Sequence, residues 1–165
     1  MLTGSASAND QQLIAEVRGA GTEPALLDAS GRLSLSQVRT LLEHADAYLG
    51  PDTSVTHLAA ALGVPVVTVY GPTWPDAFGP WPPGHAASQP WLRREPRQQV
   101  RNIVLLQGPD PPGQRCVPCN QMGCARRHDS LSHCLVSLPA QTVIAELQQI
   151  LARQSAADTA QHRRA

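Results

Sequence analysis

Apolar positions recur along this chain in two rhythms, one helical and one of short unbroken runs, and the two alternate. Leu13, Ile14 and Val17 share the i, i+1, i+4 spacing of one helix face, predicting a helix capped by Asn9 or Asp10 and ended by Gly19 and Gly21. Before it, Met1 to Thr3 reads as the end of a strand closed by Gly4. After it, Ala25 to Asp28 reads as a short strand, with Gly31 marking the turn. Ser34-Leu35-Ser36-Gln37 is a capping box, opening a helix expected to bury Leu35, Val38, Leu41 and Leu42. Ala45 to Leu49 is the next strand, Gly50 to Ser54 the next turn, and Val55 to Leu62 a third helix stopped by Gly63. Val64 to Tyr70 carries only Thr68 as a polar interruption, the pattern of a central parallel strand covered on both faces.

Beyond Gly71 the rhythm breaks. Ten of the 15 prolines lie between Pro72 and Pro112, which excludes helix and central strand from most of that stretch and predicts a long ordered loop. One more strand is expected around Asn102 to Leu106, then a cysteine-bearing segment from 116 to 134. A last helix has Pro139 near its first turn and Val143, Ile144, Leu147, Ile150 and Leu151 on its buried face. Residues 153–165 read as a polar, frayed tail. The order β-α-β-α-β-α-β predicts an α/β fold with a right-handed, mostly parallel, Rossmann-like sheet filling residues 1–152.

Composition narrows the function classes. The 165 residues carry 13 Lys+Arg against 13 Asp+Glu, and the zero net charge argues against a generic binder of nucleic acid or membrane surfaces. With 42% apolar and 16% charged residues the chain can build a core. The longest apolar run, Leu58 to Val67, is broken by Gly63 and Pro65 and is too short to span a bilayer. Met1 to Ser5 has neither a basic start nor a long apolar stretch, so no signal peptide is read and a cytoplasmic location is expected. In that compartment the four cysteines suggest thiols or metal ligands before disulfides.

Ligands of open parallel sheets bind outside the carboxyl ends of the strands, in the turns that lead to helices. Two turns qualify. Gly50-Pro51-Asp52-Thr53-Ser54-Val55-Thr56-His57 combines helix-terminal amides with the hydroxyls of Thr53, Ser54 and Thr56, a natural anion site. Asp52 repels a phosphate held against it and suits either a helix cap or sugar hydroxyls, while His57 can donate to a phosphate. An ordinary cap with a surface histidine explains the same residues. Gly71-Pro72-Thr73 follows the buried strand, offering close backbone approach at Gly71 and a hydroxyl at Thr73. A plain structural turn accounts for it equally.

Cys116, Cys119, Cys124 and Cys134 are spaced C-x2-C-x4-C-x9-C, with His128 and His133 interleaved. A C-x-x-C pair is half of a tetrahedral zinc site, but the second half lacks its match, so structural zinc, an iron–sulfur centre, reduced structural thiols and disulfides all stay open. Seven arginines (93, 94, 97, 101, 115, 126 and 127) cluster against Glu95 and Asp110, reading as a solvated surface or a face for an anionic ligand. Trp74, Trp81 and Trp91 suit stacking on sugar rings or anchoring of the loop.

The stretch from Asp46 to Gly79, DAYLGPDTSVTHLAAALGVPVVTVYGPTWPDAFG, resembles glycosyltransferase family 9, the lipopolysaccharide heptosyltransferases. The family pattern there is D-T-G-x-x-H-L-A-A-A-L-G-x-P, a strand, and G-P-T. TGSASANDQQLIAEV and SGRLSLSQV upstream, and CVPC, Cys124, Cys134 and SLPAQTVIAEL downstream, resemble further family segments in the same order, so the likeness covers about residues 1–152.

The resemblance implies the C-terminal, donor-binding half of a GT-B enzyme, two Rossmann-like domains facing across a cleft. The donor is a nucleotide sugar, usually ADP-heptose, and the reaction is metal-independent attack by a lipopolysaccharide core acceptor hydroxyl, with a nucleoside diphosphate leaving. Carried over by position, Asp52 contacts the donor, Thr53 and His57 stand at its diphosphate side, and Leu33 lines the adenine pocket; Ser54 and Val55, lying between, are counted with the donor-binding residues. Gly71 and Thr73 form a rim of the cleft. Ser54 stands where the family has glycine. Relative to the family this chain is expected to start inside the donor domain, leaving the acceptor site and the carboxylate base in a missing N-terminal domain and the isolated chain inactive, peripheral to the inner membrane at most. Two other readings compete: a zinc-stabilised module holding an acidic partner through the arginines, and a sugar-nucleotide epimerase-like fragment. Against the epimerase, Ser54, Val55 and His57 occupy the stretch where those enzymes carry a second glycine and paired acidic residues.

Overall fold

The computed structural model describes residues 1–20, 26–127 and 129–162, so Gly21, Ala25 and His128 of the expectations above lie outside the described residues. The chain forms two compact units, Met1–Leu41 and Leu42–Ala165.

In the first unit, the predicted strands at either end of the first helix reduce to one parallel bridge, Leu2 with Asp28. The Leu2 N–H donates to the Leu27 carbonyl at 2.8 Å and the Ala29 N–H to the Leu2 carbonyl at 2.9 Å. Helix α1 (Ala8–Ala20) begins before the predicted Asn9 or Asp10 cap. Ser7 takes that role, its hydroxyl accepting the Asp10 N–H at 3.2 Å, while the Asp10 carboxylate reaches back to the Ser5 N–H at 2.8 Å. Asp10 thus stands at the third helical position, but its carboxylate takes the Ser5 N–H and not that of the cap residue Ser7, so only the serine half of a capping box forms. The expected burial of Leu13, Ile14 and Val17 fails: α1 buries no residue, and Leu13 and Val17 are 53% and 49% exposed. The predicted capping box holds. The Ser34 N–H donates to Gln37 Oε1 at 2.9 Å and the Gln37 N–H to Ser34 Oγ at 3.4 Å, opening α2 (Leu35–Glu43). Its buried face is shorter than predicted: Val38 and Leu42 are buried and Leu41 half-buried, while Leu35, on the same stripe but at the first residue of the helix, is exposed.

The second unit is built on a four-stranded sheet in the order β1-β2-β4-β3. Strands β1 (Tyr48–Pro51), β2 (Val66–Tyr70) and β4 (Ile103–Gln107) are parallel, and β3 (Arg97–Val100) pairs antiparallel with β4. The continuous apolar run at β2 does form the parallel strand paired on both edges, Val67 lying opposite Leu49 and Val104. Strand β3 is absent from the sequence prediction. Its turn to β4 uses Arg101 at φ 54°, which favours Gly or Asn, so no hairpin residue announces it. Side chains supply what the turn sequence lacks: Arg101 Nη2 donates to the Gly84 carbonyl at 2.8 Å and Asn102 Nδ2 to the Gly63 carbonyl at 2.7 Å.

Alternation in β2 and β4 gives the sheet its two faces. Val67, Val104 and Leu106 pack with Ile150, Val143 and Leu147 of α6 (Ala140–His162), whose other predicted core residues, Ile144 and Leu151, are exposed. A strip one side chain wide suffices to cover two strands. Helix α6 continues to His162 through the stretch expected to be a frayed tail, with alanines favouring the helix. Helix α3 (Ser54–Ala61) packs on β1 and β2 through the buried Thr56, Ala59 and Ala60. The proline-rich loop holds a single helical turn, α4 (Pro75–Phe78), with proline at its start, and α5 (His133–Val136) sits in the cysteine segment.

Candidate functional site

Because β1, β2 and β4 are parallel and in register, their carboxyl ends form one edge, and both turns singled out from the sequence lie on it. At the end of β1, Thr53 occupies the N-cap of α3 with extended backbone (φ −145°, ψ 163°) but makes no side-chain cap hydrogen bond. Its hydroxyl lies 3.3 Å from that of Thr56, which also reaches Tyr48 Oη at 3.2 Å and the Pro51 carbonyl. The capping explanation of this turn therefore fails: neither Asp52 nor Thr53 spends its oxygen on the first amides of the helix. Ser54, where the family has glycine, is an ordinary helical residue with negative φ, so no left-handed backbone is required there.

Asp52 is instead oriented sideways. Its Oδ1 accepts from Tyr70 Oη at 3.1 Å and faces His57 Nε2 at 3.7 Å. The Tyr70 hydroxyl also lies 2.7 Å from the Phe78 carbonyl, and the ring is fully buried at the end of β2. Burial first, and the Asp52 charge second, push the Tyr70 phenol far up, so it stays a neutral donor at any working pH. His57 remains open to solvent and Val55 is half-buried, both on the first turns of α3. Tyr70 and Tyr48 were not picked out as site residues. The available signal was a phenol closing an aliphatic strand at the edge where ligands bind. Leu33, half-buried before α2, belongs to the first unit.

At the ends of β2 and β4 the cysteine segment closes down. A Cβ on Gly71 would lie 2.9 Å from Cys134 Sγ, and one on Gly108 would overlap the Cys134 carbonyl oxygen, so only glycine permits this approach. The Asn120 N–H donates to the Pro72 carbonyl at 2.7 Å. Between Thr73 and Pro72 on one wall and Asn120, Gln121, Met122 and Ser130 on the other lies a groove of about 300 Å³. The Gly71-Pro72-Thr73 turn is thus the rim of a concavity.

The four cysteines are free thiols, and all four line one small cavity of about 20 Å³ beside that groove. Burial, and then the neighbouring thiols and Asp110, push Cys116 up, and burial above all pushes Cys134 up. Among the described residues no three His, Cys, Asp or Glu side chains are drawn together closely enough to hold a metal ion as they stand. The thiols ring the cavity without closing on its centre.

The arginine cluster is largely self-neutralised. Arg93 pairs with Asp76 at 2.9 Å, Arg94 with Asp110 at 3.1 Å, Arg127 with Asp129 at 3.2 Å, and Arg97 with Glu146. Trp91 is buried, donating to the Pro80 carbonyl at 2.9 Å, and anchors the loop. Trp74 lies under Arg93, whose Cζ is 4.6 Å from the ring centre, and Trp81 is exposed.

An α/β unit whose helix mouth and glycine-lined rim share the carboxyl edge of parallel strands places both where open parallel sheets bind ligands. Residues 1–106 match the family model described as glycosyltransferase family 9 (heptosyltransferase), and the chain belongs to that family. It is 32% identical over 82 residues to lipopolysaccharide heptosyltransferase 3 of Escherichia coli K12, covering 49% of this chain and 24% of that protein. It is 35% identical over 79 residues to lipopolysaccharide heptosyltransferase 1 of the same strain (48% and 23%), and 42% identical over 53 residues to that of Salmonella typhimurium (32% and 17%). The matched stretch is about a quarter or less of each relative's length. No solved structure matches the chain significantly. Among the described residues no helix is long and apolar enough to cross a membrane.

Proposed function

We propose that this chain is the donor-binding part of a heptosyltransferase, the C-terminal half of a GT-B architecture, taking a nucleotide sugar of the ADP-heptose class. The diphosphate sits at the amide-rich mouth of α3, where Ser54, Val55 and the Thr53 hydroxyl face it and His57 adds a donor. Asp52 accepts from sugar hydroxyls. Gly71 and Thr73 bound the cleft. The observation that carries this reading is the uncapped start of α3 beside a carboxylate that Tyr70 holds away from the helix amides.

Such a mouth stabilises the leaving diphosphate electrostatically, with donors already oriented and no metal needed for transfer. Within these 165 residues no carboxylate matches the family's base, so the chain alone binds donor and transfers no sugar. The acceptor, a lipopolysaccharide core, meets it through the other half of the architecture, at the cytoplasmic side of the membrane. The interaction-module reading loses support because four of the seven arginines, 93, 94, 97 and 127, are paired with acids of the same chain. The epimerase-like reading is set against by the family match.

Calorimetric titration with ADP-, UDP- and GDP-sugars tests the assignment. The ADP-sugar is expected to bind tightest, and Asp52→Ala and His57→Ala each to weaken it about 10-fold, the loss of one charge-assisted hydrogen bond. Unchanged affinity in folded variants would place the donor elsewhere. Sustained heptose transfer to a lipid acceptor by the purified chain would refute the assignment to donor binding alone.

A further inference from the structure

We propose that Cys116, Cys119, Cys124 and Cys134 bind a single tetrahedral zinc ion in the cavity their side chains line, and that this ion pins the wall of the groove beside Thr73. All four cysteines of the chain, drawn from separations as wide as C-x9-C, meet at one hollow. Its volume of about 20 Å³ admits roughly one water-sized sphere, which suits one ion and not an iron–sulfur cluster. Pro72, Pro111 and Val117 make up much of the remaining wall, keeping the hollow apolar, where thiolate–metal bonds meet little competition from water.

The backbone around the cysteines is already set. Asp110 Oδ1 accepts the N–H groups of Cys116 and Val117, each at 2.7 Å, fixing the first C-x-x-C. The His133 N–H donates to Cys124 Sγ at 3.3 Å, an amide–sulfur bond that orients the sulfur. Cys134 is wedged between Gly71 and Gly108, so its position is given by the sheet itself. Arg94, paired to Asp110 at 3.1 Å, sets a cation near Cys116.

A divalent cation among four thiolates balances charge that the apolar hollow would otherwise leave uncompensated. Binding exchanges the thiol protons, released to solvent, for four Zn–S bonds. No electron moves, so no oxidant or reductant is involved.

The ion cavity and the groove share Pro72, Gln121, Gly123 and Ser132, so closing one shapes the other. The inference stands on the cysteine segment alone and is independent of donor binding.

The test uses the full chain purified anaerobically with a phosphine reductant. Elemental analysis is expected to give about one zinc per chain, and cobalt exchange to give thiolate-to-metal charge transfer with the intense visible bands of a tetrahedral site. Cys119→Ser should weaken zinc binding about 100-fold in chelator competition, whereas His133→Ala, which keeps its amide, should leave stoichiometry unchanged. The cobalt spectrum of the unmodified chain needs no variant to fold. Zinc below about a tenth of an equivalent after zinc is supplied, an octahedral cobalt spectrum, four thiols reacting equally fast with and without zinc, or an iron–sulfur chromophore would each overturn it.

Discussion

Helices α1 and α6 carry the same kind of apolar stripe and meet opposite fates. Leu13, Ile14 and Val17 mark one face of α1, yet α1 buries nothing. Val143, Leu147 and Ile150 mark one face of α6 and join Val67, Val104 and Leu106 in the core. Periodicity names the face that is able to be buried. Whether it is buried depends on a matching apolar surface, which β2 and β4 offer to α6 along their whole length. Even on α6 the sheet takes only part of the stripe, leaving Ile144 and Leu151 exposed.

Truncation breaks this contrast most directly. Ile150→Ala removes a core side chain and should cost about 2–4 kcal/mol in denaturant unfolding, while Leu13→Ala should stay within about 0.5 kcal/mol. A cost above about 1 kcal/mol for Leu13→Ala would show that the α1 face is covered after all. A smaller effect separates the polar side of α6. Glu146 is buried there and pairs with Arg97, whose Nη2 donates to Oε2 at 2.9 Å. Glu146→Ala should cost about 1–2 kcal/mol, reduced because Arg97 is half in solvent.

The same pair predicts a pH dependence. The Arg97 hydrogen bond, chiefly, holds the Glu146 carboxyl below its usual value. Its stabilisation is therefore complete above the unfolded-state value near ~4.3 and is lost as pH falls through the lower folded value. Urea titrations below neutrality should show a shallower acid slope for Glu146→Gln than for the parent.

Local devices give the smallest effects. Ser34→Ala removes one side of the α2 capping box and should cost about 0.5–1 kcal/mol by thermal unfolding. Thr68 lies in the middle of β2 with its Oγ1 buried and without a hydrogen-bond partner among the described residues. Thr68→Val should raise stability by up to about 1 kcal/mol, and a loss would reveal a water or partner on that hydroxyl.

Much of the candidate site was legible because its signals are short-range. The turn from Gly50 to His57, the run ending at Tyr70 and the Gly71-Pro72-Thr73 rim each follow from residues a few positions apart. Their common edge follows from parallel pairing. The uncapped state of α3 was not legible, since Asp52, Thr53 and Ser54 are all good cap residues. Asp52 turned away because Tyr70, 18 residues on, offers a buried hydroxyl at 3.1 Å.

From order and patterning alone come the α/β class, the central strand at β2, the Ser34–Gln37 capping box and the proline-rich loop, all set by interactions within a turn or a strand. The assembled fold decided the β3 hairpin at Arg101, the pairing of the arginines with Asp76, Asp110 and Glu146, and the meeting of four cysteines at one cavity. Each of these depends on groups distant in sequence. Such contacts form only when the sheet has fixed where its strand ends lie, because pairing energy between distant residues has no counterpart in local spacing.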